Sequence, residues 1–342
     1  MKDAPDNSVK QRNASSVAFG FDFQVHAAMV LMLENLLELK NIRVEGKTED
    51  IEIELKDNSY IFAQAKSIVN SSSDFHNVLA NLKKALTSLS EAAATRTINK
   101  LVFITNSPNP FNTQINNSIF VGHSHRDFKT LPEQYQRRIT EYLKDINTPL
   151  DTNNLMIHIL PFETDNNLEK YKVVISVINE FISNLELNGL ISAERIRNIW
   201  FSELFANSSK KDTQIVLSKN DLIWPLIVII TDISYTNSSL REEFDSAEFE
   251  EISRKYKSII NYHCEKYEYF TRVVYDYQNF TSSKKGQEKI KDFIELKWKD
   301  YKEDFAADGI QESIKSSLIK IIIHNVLQQR FKIDKIKEQT GL

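Results

Sequence analysis

Residues 49–55 read Glu-Asp-Ile-Glu-Ile-Glu-Leu, and after a polar turn the chain continues Ile61-Phe62-Ala63-Gln64-Ala65-Lys66. Metal-assisted phosphodiester hydrolysis needs an activated water, a cation on the phosphate oxygens and relief of charge on the leaving group. Mg²⁺ takes oxygen ligands and keeps several waters, so one or two carboxylates plus the phosphate suffice. Asp50 can hold such a cation, the Gln64 carbonyl oxygen can complete its coordination, and Lys66 can position a water and neutralise phosphate charge. Alternating carboxylates on a strand are more often a solvated face, and a Gln-x-Lys triplet by itself is common. The surrounding elements must decide between the two.

Strands in a sheet lie roughly 4.8 Å apart, so neighbouring strands can supply ligands to one ion. Gln64 and Lys66 are two apart and share a face. On the preceding strand Ile51, Ile53 and Leu55 take one face and Asp50, Glu52 and Glu54 the other. If Leu55 paired directly with Tyr60, Asp50 would fall opposite Ala65, on the wrong face. A loop of odd length, or a bulge, brings Asp50 opposite Gln64 or Lys66. The sequence therefore predicts an odd loop or a bulge within Lys56-Asp57-Asn58-Ser59, which is turn chemistry.

Other elements follow from periodicity. Val25, Ala28, Met29, Met32, Leu33, Leu36 and Leu37 predict a helix over 21–39. Residues 42–45 and 60–69 read as strands, and Ser71 to Asp74 offer N-caps for a helix over 75–92. Residues 101–105 form a continuous apolar run of the kind buried on both faces. Residues 106–117 read as a Pro/Asn loop and 155–162 as a further strand. Beyond 166 helical patterns dominate, over 168–187, 192–205, 246–272, 285–306 and 310–331. The expected architecture is a loose N-terminus (1–14), a mixed α/β domain (15–165) and a mainly α-helical C-terminal domain (166–342).

Composition narrows the function classes. The chain has 342 residues and a formal net charge of -4, so nucleic-acid contact would need a local patch. The single cysteine, Cys264, excludes an internal disulfide framework and a cysteine zinc site. The first residues are polar without an apolar core, and the longest apolar run, 222–230, is broken by Pro225. These features point to the cytoplasm and away from a membrane.

In its motifs the chain resembles the restriction-endonuclease-like PD-(D/E)xK superfamily. More narrowly, it resembles the double-stranded-DNA endonuclease domain at the N-terminus of bacterial anti-phage defence effectors. Gly20-Phe21-Asp22-Phe23-Gln24 corresponds to a Gly-aromatic-x-aromatic-Gln stretch, and Glu45 with Glu49-Asp50-Ile51 to Glu-x-x-x-Glu-Asp-Ile. Gln64-Ala65-Lys66 and an apolar strand ending in Thr105-Asn106 follow in order. The resemblance covers about residues 15 to 165. It implies a restriction-endonuclease-like mixed sheet flanked by helices and Mg²⁺-dependent cleavage of duplex DNA, with Mn²⁺ as a substitute. Asp50 would be the main metal ligand, Gln64 a second, Lys66 the catalytic lysine, and Gln24 would approach the metal or its water. Glu45 and Glu49 are further ligand candidates. An uncharged Gln64 implies weak metal affinity without DNA.

Other residues read more plainly. His123 and His125 have a spacing that suits a metal or phosphate contact but read as loop residues. His26 lies about 200° around the helix from Gln24 and should not share its target. Lys83, Lys84, Lys210 and Lys211 could touch a DNA backbone, though such pairs are usually solvated. The apolar run around Trp224 and the aromatic stretch 267–280 read as packing. The C-terminal half carries no Walker or Rossmann pattern and reads as an assembly or partner-binding domain. A free nuclease would endanger its host, so restraint by a homo-oligomer or a protein partner from the same defence system is expected. The rival readings are a nuclease fold that binds nucleic acid or a partner without cutting, and an assembly subunit for another enzyme.

Overall fold

The computed structural model describes residues 15–113, 117–163, 166–236, 241–242, 244–262, 267–305 and 312–342. The expected loose N-terminus and Cys264 lie outside these residues. The chain divides into two compact units. The first holds Leu39–Ser176 and Phe201–Val216 together with the chain up to Asn35; the second holds Leu36–Glu38, Val177–Trp200 and Leu217–Leu342. This is not a single cut near 166, because 201–216 belongs with the α/β unit. There it surrounds Arg43, which is 1% exposed. The Arg43 guanidinium donates to the main-chain carbonyls of Lys210 (2.8 Å), Asp212 (3.2 Å) and Ile215 (2.5 Å), and to that of Glu45 (3.3 Å).

The α/β unit is built on a mixed sheet. Its strands are β1 (Leu39–Val44), β2 (Ile51–Leu55), β3 (Tyr60–Lys66), β4 (Ile98–Thr105), β5 (Ser124–Asp127) and β6 (Leu155–Ile159). Their spatial order is β5-β6-β4-β3-β2-β1. The meander β1-β2-β3 is antiparallel, β4 lies between β3 and β6 and parallel to both, and β5 returns antiparallel to β6. Helix α2 (Val78–Ala93) makes the crossover between the parallel pair β3 and β4.

Hydrophobic patterning assigns the faces. Phe62, Leu101, Phe103 and Ile157 pack with Leu82, Leu86 and Leu89 of α2 and with Tyr135, Ile139 and Leu143 of α3 (Glu133–Lys144). The alternate residues point to the other face, where α1 (Ser15–Glu34) packs against β1, β2 and β3. By length and apolarity α1 could cross a membrane, but ten of its consecutive residues, Phe23 to Met32, are buried within the protein.

Several sequence expectations shift. Helix α1 starts at Ser15, not 21, and ends five residues before Leu39, where β1 begins. Helix α2 starts at Val78 after Asn77, whose side chain makes no cap bond. Ser71 and Ser72 instead hydrogen-bond the Glu163 carboxylate (2.8–3.1 Å). The segment around His125, read as loop, is the edge strand β5.

The second unit's described residues are largely helical, with helices such as Lys219–Ile230, Gly286–Lys297 and Glu312–Gln328. Trp224 packs edge-on to Phe270 (centroids 4.9 Å), and Tyr277 edge-on to Phe293 (5.5 Å). Within the aromatic stretch Tyr269, Phe270 and Tyr277 are therefore core, whereas Tyr275 is exposed. Lys219 is buried and donates to the carbonyls of Leu37 and Thr340, both at 2.8 Å.

Candidate functional site

The hairpin carries the odd loop that the match of faces requires. Glu54 pairs with Tyr60, and the Leu55 amide donates to the Ser59 carbonyl (2.9 Å), leaving Lys56, Asp57 and Asn58 as the loop. Asn58 adopts a left-handed conformation (φ 64°), which asparagine tolerates better than most residues. The Asp57 carboxylate caps the turn by accepting from the Ser59 amide (2.9 Å) and hydroxyl (2.6 Å). One step beyond the Ile51–Ala63 pair, Asp50 comes beside Gln64.

Asp50 Oδ2 accepts hydrogen bonds from the Gln64 side-chain amide, the Ala65 main-chain amide (3.0 Å) and Lys66 Nζ (3.4 Å). Carboxylate, amide and ammonium thus meet at one oxygen. The Asp50 and Lys66 side chains keep 24% and 31% of their surface exposed, so a solute can reach them, whereas Gln64 is buried. Gln64 and Lys66 lie on the α2 side of the sheet. Lys66 ends β3 beside Thr105, at the C-terminal ends of the parallel strands, where open α/β sheets commonly bind ligands.

Glu49 is also drawn in. It is 4% exposed, with Oε1 accepting from Ser88 of α2 (2.7 Å), while Oε2 is buried without a hydrogen-bond partner among the described residues. Burial pushes its carboxyl up to about 7; the Asp50 charge adds to this, while Ser88 and Lys66 draw it down. The turn before it is tied by Glu52, whose Oε1 accepts from the Thr48 amide (2.7 Å), Thr48 hydroxyl (2.8 Å) and Glu49 amide (3.2 Å). Gly46 fits this turn because a Cβ there would lie 2.2 Å from the Glu52 carboxyl carbon.

Two expected residues do not join. Glu45 is exposed at φ 54°, and its amide donates to the Asp50 carbonyl (2.8 Å), so it shapes the turn rather than facing the carboxylate. Gln24 is buried on α1, in the layer on the opposite face. Among the described residues no hydrogen bond links it to Asp50, Gln64 or Lys66. Within the Gly20–Gln24 motif the visible polar anchor is Asp22, which contacts His26 (3.0 Å), Lys170 (2.5 Å) and Tyr171 (3.0 Å). Burial raises its carboxyl, but the bonds from His26 and Lys170 prevail and hold it at about 2.

Asn106 has a structural task that its motif only hinted at. Its side chain accepts from the Ile68 amide (2.8 Å) and donates to the carbonyls of Ile68 (2.8 Å) and Phe162 (2.6 Å). It ties together the chain leaving β3, β4 and β6. Lys83 and Lys84 are exposed on α2, and Lys83 pairs with Asp145 (3.5 Å), as on a solvated face. Lys210 and Lys211 are exposed in the α/β unit, not in the second one.

No protein-family model matches this chain, and no curated protein matches it. Among solved structures it is similar to the Acinetobacter baumannii Cap4 SAVED/CARF-domain containing receptor with the cyclic trinucleotide 3'3'3'-cAAA. That similarity has 14% identity, covers 62% of this chain and 45% of that one, and gives a TM-score of 0.38. The Moraxella osloensis Cap4 SAVED/CARF-domain containing receptor is similar at 15% identity over 61% of this chain and 47% of its own, with a TM-score of 0.34. The chain thus spans about half the length of these receptors. At this identity and TM-score the similarity assigns no function.

Proposed function

We propose that the α/β unit is a restriction-endonuclease-like, metal-dependent phosphodiesterase that cuts double-stranded DNA, and that it serves in bacterial anti-phage defence. The observation that carries this reading is the meeting of Asp50, Gln64 and Lys66 at one carboxylate oxygen on a partly exposed surface. The defence setting rests on the motif resemblance.

The donor set fits a hard divalent cation such as Mg²⁺ or Mn²⁺. Asp50 offers a carboxylate, and the unpartnered buried Oε2 of Glu49 is an oxygen lacking a positive partner. Gln64, whose amide nitrogen faces Asp50, offers its carbonyl oxygen once the side-chain amide turns over. When bound, the cation supplies Lewis acidity and charge neutralisation at the phosphate. Asp50, Glu49 and the Gln64 carbonyl oxygen would hold it. Lys66, whose ammonium lies 3.4 Å from Asp50 Oδ2, would offer positive charge to the phosphate and a donor to the attacking water. With Gln64 neutral, two carboxylates carry all the negative charge, so substrate phosphate completes the binding.

A second reading, a nuclease fold that binds without cutting, is favoured by Asp50 Oδ2 already satisfying three donors. Incubating supercoiled plasmid with the protein and Mg²⁺ or Mn²⁺, with and without EDTA, separates the two. The proposal expects chelator-sensitive nicking or linearisation. Plasmid left intact while duplex DNA binds would support the second reading and reject the first.

A further inference from the structure

Across the sheet, Gln64 pairs with Phe103 and Phe103 with Ile157, whereas Ala65 pairs with Ile104 and Ile104 with His158. Registered partners share a face, so His158 lies on the α1 side, opposite Gln64 and Lys66. On that face it meets three other potential ligands. His125 of β5 is the direct register partner of His158, their ring centroids 4.0 Å apart. His123 precedes β5, with its Nε2 at 2.9 Å from His158 Nε2. Glu34, at the end of α1, places Oε1 at 2.8 Å from His125 Nε2 and 3.6 Å from His123 Nε2. One ligand atom from each of the four residues lies within 4.8 Å of all the others.

We propose that Glu34, His123, His125 and His158 form a site for a zinc-class transition-metal ion, separate from the phosphodiesterase centre. Three imidazoles and one carboxylate are a borderline donor set, suited to Zn²⁺ and its first-row neighbours rather than to Mg²⁺. Four protein ligands fill a tetrahedron, which is the closed arrangement of structural zinc. Four Zn-bound atoms sit about 3.3–3.5 Å apart, given bonds of about 2.0–2.1 Å. The observed spread of up to 4.8 Å would have to close by about 1.3–1.5 Å for an ion to bind. The hydrogen-bond alternative is incomplete. His123 and His158 can share one Nε2–H···Nε2 bond, but the fully buried His158 leaves Nδ1 without a hydrogen-bond partner among the described residues. The four ligands come from α1, from β5 and the residue just before it, and from β6, so an ion here would clamp the edge strand to the helix layer. His123 and His125 were legible as a His-x-His pair, but Glu34 and His158 come from elsewhere in the chain.

The test uses the full-length protein stripped with chelator and titrated with Co²⁺, then Zn²⁺. The inference expects about one equivalent of Co²⁺ with the intense visible bands of a tetrahedral site, displaced by Zn²⁺. It also expects Zn²⁺ to raise the melting temperature. The double variant H123Q/H125Q should lose the bands, and Glu34→Gln should weaken binding at least about tenfold. Asp50→Asn should leave the bands unchanged, which separates this site from the other. Should the double variant fail to fold, Glu34→Gln, at a partly exposed side chain, decides alone. No tetrahedral Co²⁺ spectrum in the wild type, or the same spectrum and affinity in folded Glu34→Gln and H123Q/H125Q, overturns the inference.

Discussion

At the scale of single residues, Gln64, Lys66 and the Ala65 amide converge on Asp50 Oδ2. Lys66→Ala and Asp50→Ala should each lower DNA cleavage by at least about a hundredfold, because Lys66→Ala removes positive charge placed at the phosphate and Asp50→Ala removes the main ligand of the cation that would supply the rest. Unchanged circular dichroism beside lost plasmid cutting checks this; two variants that cut like the wild type would contradict it. Glu49 gives a pH prediction. Its folded-state value of about 7 lies above the ordinary 4.5, so the folded protein keeps a proton that the unfolded chain releases in between. Its stabilising share is full below about 4.5, falls as pH rises through that window, and is gone above about 7. The span corresponds to about 3 kcal/mol by the usual linkage. In EDTA, melting temperature should therefore drop more between pH 5 and 8 in the wild type than in Glu49→Gln. Saturating Mn²⁺ should shrink the wild-type drop, since a cation at the carboxylates holds Glu49 ionised.

At the scale of elements, the hairpin decides whether a site exists at all. Alternation in Ile51–Leu55 and the need for Asp50 to face Gln64 made an odd loop or a bulge legible, though not its length of three, because side-chain faces have a strict period of two. The same reasoning could not see Glu49 join, since its approach to Ser88 depends on the tertiary placement of α2. Nor could it exclude Gln24, whose helix packs on the other face. Edge strand β5 was missed because Ser-His-Arg-Asp has no apolar alternation; it pairs with buried β6 instead. Helix α3 was missed because only Tyr135, Ile139 and Leu143 mark its buried face in an otherwise polar stretch. Asn106 tests how the strand ends are held. Asn106→Ala leaves the Ile68 amide and two carbonyls without partners, at a cost of about 2–4 kcal/mol. Denaturant melts should show that loss, and an unchanged midpoint would show that the tie is dispensable.

At the scale of the molecule, composition and periodicity gave an α/β part followed by helices, but not the return of 201–216 to the α/β unit. That return depends on one buried cation, Arg43, and on carbonyls more than 160 positions away in sequence. Arg43→Ala should release this segment, and trypsin should then cut at Lys210 or Lys211 at least about tenfold faster than in the wild type, because local opening governs cleavage. Equal cutting rates would show that the segment is held by other contacts. The central claim, that Asp50 and Gln64 form a cation site served by Lys66, is tested most directly by anomalous scattering from a crystal soaked in Mn²⁺. The account predicts a Mn²⁺ peak bridging the Asp50 carboxylate and the Gln64 side chain, with Lys66 turned away from Asp50. A saturating soak that leaves Lys66 on Asp50 and shows no Mn²⁺ between Asp50 and Gln64 would contradict it.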